Sequence, residues 1–155
     1  MTGLLEVLDR HVSIVPILLP LIAAASMLLL HERRRRAKAV VSSVTLAAMF
    51  AATLRLLMVV ADPSTPEIVV YRLANWSAPY GIVLVADRLS VLMVMVTVLL
   101  GAAGMTYALS RWATLGPRFH SLYLLLLMGL CGAFLTGDLF NLYVFFEVLL
   151  AASYG

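Results

Sequence analysis

The sequence predicts an all-α membrane protein: a polytopic helical bundle with four full transmembrane helices, a fifth that is barely long enough to span, and an extracytoplasmic hairpin-like loop. Of its 155 residues, 63% are apolar and 12% are charged, and the mean hydropathy is +1.03. A soluble domain is about half apolar and about a quarter charged, and a chain this short cannot bury the excess in a core of its own. The basic residues cluster beside apolar runs, as in membrane proteins, and not on an aromatic-rich face that would bind nucleic acid.

The first transmembrane helix is expected at residues 12–30, which are uncharged over 19 residues. About 20 helical residues cross a hydrocarbon core of about 30 Å, so this run is long enough. The ten residues before it carry two acids and one base, whereas a secretory signal peptide begins with net positive charge. We therefore interpret this run as a retained transmembrane helix.

The segment HERRRRAK at residues 31–38 lies between two apolar runs. Lysine and arginine mark the side of the membrane that is not translocated, so this segment is predicted to be a cytoplasmic loop. The second span is expected at residues 39–61 and contains Arg55, about 25 Å along the helix from Lys38. Two interpretations of Arg55 remain: an arginine that snorkels to the far interface, or a functional charge that faces the protein interior.

Residues 62–88 form the longest polar interval and contain two short β-branched runs, EIVVYRL and YGIVLVAD, around a turn-rich ANWSAP. This pattern predicts an extracytoplasmic β-hairpin or a pair of extended segments. The third helix is expected at residues 89–110, with Asp87 as its N-cap.

The fourth helix is expected at residues 121–137 and the fifth at residues 139–155, joined by a tight turn in which Asp138 caps the fifth. Seven lysines and arginines lie in loops 31–38 and 111–120, and three lie on the other side. This asymmetry predicts an outside N-terminus and two cytoplasmic loops, so that the fifth helix runs inward from the outer face.

A carboxylate, Glu147, interrupts the apolar fifth helix nine residues after Asp138. At about 1.5 Å per residue it lies about 13 Å below the outer interface, where a charge costs at least about 2.5 kcal/mol on insertion scales. Tyr143 precedes it by four residues and Tyr154 follows it by seven, so the three side chains share a helix face. Two interpretations follow: a carboxylate that handles protons, or a protonated structural residue that hydrogen-bonds to a neighbouring helix.

Other chemistries have little support in the sequence. The three histidines, His11, His31 and His120, lie in flanks or loops without metal-ligand spacing, and the single Cys131 is interpreted as a small buried hydrophobe. The chain has no glycine-rich phosphate loop, nucleophile elbow or CxxC motif, and we expect no cofactor. The residues alone therefore indicate a polytopic membrane protein with one proton-capable carboxylate, which fits a transporter, a channel subunit or an assembly protein.

The run GDLFNLYVFFEVLLAASYG resembles the D-type subunits of the multisubunit Mrp-type monovalent cation/proton antiporters. These belong to the proton-translocating family that also supplies the antiporter-like membrane subunits of respiratory complex I. Three further stretches match: ILLPL, YRLANWSAPYGIVLVADRLS and SLYLLLLMGLCGAFLTGDLF. The resemblance thus covers nearly the whole chain, and FNLYVFFE favours the D-type branch over the complex I subunits.

The resemblance implies that Glu147 is a proton-relay carboxylate that works with a lysine on a later broken helix and with further intramembrane lysines or histidines. Candidate supporting polar residues are Tyr143, Tyr154 and Arg55. Lys38, in the basic loop, is the only lysine, so no residue of this chain matches that partner. The chain is therefore expected to be the N-terminal part of a longer subunit, unable by itself to exchange ions, because alternating access needs two repeats around a shared site.

The same resemblance divides the chain into N-terminal helices with their outer loop, at residues 1–120, and the start of a proton-conducting domain, at residues 121–155. It implies a transporter subunit and not an enzyme, in a bacterial-type plasma membrane. The expected partners are the other subunits of the complex, the lipid bilayer, protons, and sodium or another monovalent cation.

Two rival hypotheses remain open. The chain could belong to a quinone-linked complex, either a NADH dehydrogenase or a membrane-bound hydrogenase, in which the same residues pump protons during electron transfer. Neighbouring genes for small Mrp-type subunits, or for iron–sulfur and quinone-site subunits, would separate these alternatives. The third hypothesis is a non-transporting assembly piece, which would insert stably and bind partner subunits without any later helices.

Overall fold

Five helices and two short strands make up the part of the chain that the structure, a computed structural model, describes: residues 11–29, 34–63, 68–73, 81–110, 116 and 118–154. The helices are α1 (Val15–Leu29), preceded by a 3-10 turn (Val12–Ile14), α2 (Arg35–Ala61), α3 (Arg88–Ser110), α4 (Phe119–Leu135) and α5 (Leu139–Tyr154). The strands β1 (Val69–Arg72) and β2 (Val83–Ala86) lie between α2 and α3 and pair antiparallel.

Helices α1 to α4 form a ring in which each helix packs against the next and α4 packs back against α1. Helix α5 lies outside this ring and packs against α4. The ring interior is filled by aliphatic side chains and methionines, among them Met27, Met49 and Leu124. Large apolar side chains also cover the outer surface; Leu29 is 90% exposed and Leu100 is 68% exposed. A surface of this kind is suited to lipid, because hydrocarbon does not penalise exposed apolar groups as water does.

Three helical segments are long and apolar enough to cross a membrane, judged by length and composition over the described residues: Val12–Leu29, Arg35–Ala61 and Arg88–Ser110. Helices α4 and α5 are also apolar but have 17 and 16 residues. The expectation of a largely helical, multi-pass membrane protein is therefore confirmed. The count of four full spans stays a prediction.

The helix boundaries differ from the sequence-based ones at the end of the bundle where the arginines cluster. Helix α2 begins at Arg35 and not at residue 39, so that Lys38 belongs to its first turn and is buried. Helix α4 begins at Phe119 and not at residue 121, which places His120 inside a helix. The prediction of a loop through Lys38, and of a flanking position for His120, was thus wrong. A charged residue ends a hydropathy run but not a helix, because its backbone and its apolar stem continue the helical packing.

The strand pair closes the opposite end, called here the hairpin end. In this pair Val69 lies opposite Ala86, and Arg72 lies opposite Val83. The two strands lie within residues 62–88, where the sequence predicted a β-hairpin or a pair of extended segments. Strand β2 also binds the turn between α4 and α5, because the Gly137 N–H donates to the Val83 carbonyl at 2.9 Å. The hairpin therefore fixes the point from which α5 starts.

Small residues allow α4 to approach two of its neighbouring helices, α3 and α5, closely. On one side, the Tyr123 hydroxyl donates to the Gly101 carbonyl of α3 at 2.7 Å and lies where a Cβ atom at Gly104 would be. On the other side, Gly132 faces the ring of Phe145 on α5. A side chain at either interface would push the helices apart, so the glycines set the helix spacing.

Candidate functional site

Glu147 lies at the middle of α5 and on its exposed side. The opposite side of the helix carries the contacts with α4: Phe145 and Val148 pack against the hydrophobic core, and Ala152 is buried. Because only one side of α5 is covered by the described part of the chain, the carboxylate projects from the bundle surface. This placement puts Glu147, together with Tyr143 and Tyr154, on a surface that is otherwise mainly apolar.

Tyr143, one helical turn before Glu147, interacts directly with it. The two side chains are close enough that the Glu147 carboxylate, as a hydrogen-bond acceptor and as a charge, acts on the Tyr143 hydroxyl. Tyr143 is 63% exposed, so the pair lies together on the uncovered face of α5. A tyrosine hydroxyl beside a carboxylate can donate a hydrogen bond to it.

Tyr154 and Arg55, the other two candidate supporting residues, are separated from this pair. Tyr154 is 86% exposed and lies on the same face of α5, about 10 Å farther along the helix from Glu147. Arg55 is exposed on α2, whose main neighbours are α1 and α3, whereas α5 packs against α4. The structure therefore brings together Tyr143 and Glu147, and places Arg55 on a different pair of helices.

Asp87 and Asp138 both lie at helix starts at the hairpin end. The Ser90 N–H donates to Asp87 Oδ1 at 2.7 Å, and the Asp87 N–H donates to Ser90 Oγ at 2.9 Å, which is a reciprocal capping arrangement. Hydrogen bonding to the carboxylate from the side chain of Ser90, and then from its backbone N–H, holds the pKa of Asp87 below its usual range. At the start of α5, the Phe140 N–H donates to Asp138 Oδ1 at 3.2 Å. Both carboxylates thus have a local structural role.

A second polar cluster was missed by the sequence reasoning and lies at the end of the bundle opposite the hairpin. It comprises Lys38 and Ser42 of α2 and His120 of α4, which are 4%, 0% and 5% exposed. The Ser42 hydroxyl lies 3.1 Å from His120 Nδ1. One signal was available in the sequence: Lys38 and Ser42 are four residues apart, on the same side of a helix.

Metal and cofactor sites find little support in the described residues. No group of three or more histidine, cysteine, aspartate or glutamate side chains there could hold a metal ion. A cavity of about 480 Å³ beside α4 and α5 is lined by Arg118, Phe119, Tyr123 and Ser153 among others, and Glu147 is not part of its lining.

Comparisons with known proteins identify relatives by sequence. No protein-family model matches the chain. The chain is 50% identical over 147 residues to a probable K⁺/H⁺ antiporter D subunit of Rhizobium meliloti (strain 1021), covering 94% of this chain and 27% of that protein. It is 48% identical over 89 residues to a Na⁺/H⁺ antiporter D subunit of Alkalihalophilus pseudofirmus, covering 56% of this chain and 18% of that protein. The chain thus spans about a quarter of the length of the first relative and less of the second.

Two solved structures contain a similar arrangement of helices. A chain in the Mrp complex from Dietzia sp. DQ12-45-1b superposes with a TM-score of 0.83 and 32% identity, over 96% of this chain and 27% of that chain. A chain in an archaeal respiratory complex, the membrane-bound sulfane sulfur reductase, superposes with a TM-score of 0.76 over 94% of this chain and 29% of that chain. Its identity is 22%, so it shows the shared fold alone. By sequence and by fold, this chain is therefore related to the D-type subunits of the multisubunit Mrp-type cation/proton antiporters, as the resemblance in its own residues predicted.

Proposed function

We propose that this chain forms part of a secondary transporter that exchanges protons for sodium or potassium, with Glu147 as an intramembrane proton-relay carboxylate. The observation that supports this role is the position of Glu147 on the uncovered face of α5, where its carboxylate acts on the hydroxyl of Tyr143. A carboxylate on an apolar surface at this depth is costly unless water or a polar group from another part of the transporter meets it. Such a group would control when the carboxylate holds a proton.

The proposed environment is the bacterial plasma membrane, with the end of the bundle opposite the hairpin in the cytoplasm. Arg34, Arg35, Arg36 and Arg118 lie at that end, called here the arginine-rich end. An excess of arginine marks the cytoplasmic side, so α5 would run inward from the outer face. We also propose that the partners of the chain are further subunits of the same membrane complex, since the names of the relatives and of the Dietzia structure describe subunits and a complex.

The 155 residues alone are proposed to be inactive. The core of the described ring consists mainly of aliphatic side chains and methionines, and its buried polar side chains include Ser42, Thr53 and Thr97. We infer that these few polar groups do not form a continuous polar path through the described ring. Purified chain in liposomes should give no cation-dependent change of internal pH. Exchange by the chain alone would contradict this part of the proposal.

The role of Glu147 can be tested in everted membrane vesicles that contain the complete transporter complex. A proton gradient is formed, sodium or potassium is added, and the collapse of the gradient is followed with a pH-sensitive dye. Glu147→Gln removes the titratable group while keeping its size, and we expect it to abolish exchange with either cation. Asp138→Asn is the matched control, because asparagine also caps helices well, and it should retain exchange.

The same assay addresses the redox-linked alternative. An antiporter collapses the imposed gradient when the cation is added, without NADH or a quinone. A pumping subunit would instead move protons only during electron transfer. Full cation-driven exchange by Glu147→Gln, with normal amounts of assembled complex, would show that the proposed relay role is wrong.

A further inference from the structure

Lys38, Ser42 and His120, called here the basic cluster, are enclosed where α2, α3 and α4 meet at the arginine-rich end. Lys38 and His120 are each at least 95% buried, which is rare for ionisable side chains. Met105 of α3 completes the surroundings of Ser42, with its sulfur 3.8 Å from the hydroxyl oxygen. The relay proposed for Glu147 does not use any of these residues.

The hydrogen bonds of Ser42 fit both protonation states of His120. Ser42 Oγ lies 3.1 Å from His120 Nδ1 and 3.0 Å from the Ala39 carbonyl oxygen. When Nδ1 carries a proton, it donates to Ser42, whose own hydroxyl then donates to the carbonyl. When Nδ1 is unprotonated, a rotation of the hydroxyl lets Ser42 donate to it. A change of protonation at Nδ1 therefore leaves the nitrogen and the hydroxyl with a partner.

Lys38 influences how readily His120 binds a proton, because the two side chains are buried in the same place. The charge of Lys38 acts directly on the imidazole. A second positive charge in the same enclosed space is costly, since both would be desolvated and would repel each other. The charge of Lys38 therefore opposes the uptake of a proton by His120.

Among the described groups of the neighbouring helices, Lys38 is a charged side chain that acts on the imidazole, in addition to the effect of burial. Helix α1 also packs against α4, but its residues 15–29 include no titratable side chain. On helix α3, Met105 contacts Ser42, the partner of His120, and the titratable Tyr107 is 64% exposed. Helix α5 carries its titratable side chains on its exposed face: Tyr143, Glu147 and Tyr154. Phe119, on the same helix as His120, packs edge-on against the imidazole at 5.5 Å between ring centroids.

Phe119 also connects the basic cluster to a route for water. Its ring contacts His120 and lines the cavity of about 480 Å³ beside α4 and α5. Arg118 lines the same cavity and lies at the arginine-rich end. A proton released from the imidazole would therefore have a path towards that end once Phe119 moves aside.

From these contacts we propose that the basic cluster is a second proton-binding site, separate from Glu147, at which His120 takes up one proton from the arginine-rich end and releases it there. The proposal rests on the proposed transport function. It has two consequences that a purely structural histidine would not have: a change in the pH dependence of exchange, and a change in the pH dependence of stability.

The first experiment measures cation-driven exchange from about pH 6 to pH 9 in everted vesicles that contain the complete complex. His120→Asn keeps a group that can hydrogen-bond to Ser42 but cannot titrate, and we expect the pH profile to shift by about one unit or to lose its acidic limb. His11→Asn is the matched control, because His11 is exposed and bonds to the Tyr71 hydroxyl at 2.9 Å at the hairpin end. An unchanged profile in assembled His120→Asn complex would overturn the proposal.

A second variant allows the proposal to be tested even if the complex that contains His120→Asn fails to assemble. Lys38→Gln leaves the imidazole in place and removes the competing charge, so it should move the same limb of the profile in the direction of easier protonation. If His120→Asn reduces the amount of complex, this variant decides: a shifted profile supports the basic cluster, and the parental profile contradicts it.

The second experiment is independent of transport. Thermal unfolding midpoints of the purified complex are measured over the same pH range for the parent and for His120→Asn. A difference between the two that varies with pH supports a titrating site, whereas a constant difference indicates a structural role and overturns the proposal. If the parent exchanges no cation at all, the proposed transport function fails, and this series still decides the protonation of His120.

Discussion

The phenyl ring of Phe145 on α5 lies over Gly132 on α4, in the space that a Cβ atom at Gly132 would occupy. Gly129, three residues earlier, faces the backbone of Phe145 and the side chain of Leu149. The two glycines form a flat strip on α4 against which α5 lies. This contact determines which side of α5 is covered, and so it places Glu147 on the uncovered side.

Enlarging Gly132 should therefore disturb α5 more than the rest of the bundle. We expect Gly132→Ala to lower the stability by about 1–3 kcal/mol, because the Phe145 ring must move away from the new methyl group. The measurement is the unfolding midpoint in detergent, followed by size-exclusion fluorescence. Gly116→Ala is the control, since a Cβ atom there meets nothing within 4 Å, and it should change stability by less than about 0.5 kcal/mol. Equal effects of the two substitutions would contradict the proposed strip.

The Asp87–Ser90 cap should make the start of α3 sensitive to acid. Because the pKa of Asp87 in the fold is below its ordinary value of 3.8, the ionised cap stabilises the fold at pH above that value. Its contribution is lost as the pH falls through the lowered value, when the carboxylate gains a proton. We expect Asp87→Ala to lower stability by about 0.5–2 kcal/mol at neutral pH.

The control for the cap is Asp87→Asn, which keeps an acceptor but does not titrate. Its unfolding midpoint should be close to that of the parent at neutral pH. Below about pH 4 the parent should lose stability as Asp87 gains a proton, and Asp87→Asn should not show this loss. A parallel acid response in the parent and in Asp87→Asn would show that another group causes it.

The interaction between the Tyr143 hydroxyl and Glu147 should influence transport without being essential for it. Tyr143→Phe removes the donor while Glu147 remains able to titrate, so we expect about a two- to tenfold lower rate of cation-driven exchange. Tyr154→Phe is the matched control, because Tyr154 is on the same face but about 10 Å from Glu147, and its rate should be close to the parental one. If Tyr154→Phe lowered the exchange rate as much as Tyr143→Phe, a specific role of the contact between Tyr143 and Glu147 would be contradicted.

The Tyr123 hydroxyl should contribute to the contact between α3 and α4. Tyr123→Phe removes its hydrogen bond of 2.7 Å to the Gly101 carbonyl, and we expect a loss of about 1 kcal/mol in stability. Unfolding midpoints of the purified protein provide the measurement. The proposed contact would be contradicted if Tyr123→Phe were as stable as the parent.

Hydropathy alone was sufficient for the general class and for the approximate position of each helix. The apolar runs at residues 12–30 and 89–110 lie within one residue of the helical segments Val12–Leu29 and Arg88–Ser110. The β-branched runs around residues 69–72 and 83–86 likewise anticipated the strand pair. These features are local: a run of apolar side chains must leave water, and within a bilayer its backbone must hydrogen-bond to itself. Glu147, with its tyrosine neighbour, could also be found in this way, because helical spacing puts residues four apart side by side.

Helix neighbours and the enclosure of side chains depended on contacts between residues far apart in the chain. Lys38 and His120 are 82 positions apart and were assigned to a loop and a flank, yet α2 and α4 begin at the same end of the bundle and enclose them both. Arg55 and Glu147 were grouped together by their charge, whereas packing puts them on different helix pairs. Hydropathy reports how far a segment prefers lipid to water, and it contains no information on which faces meet. That depends on shape, here on Gly129 and Gly132 against Phe145, and shape complementarity exists only once the helices are packed.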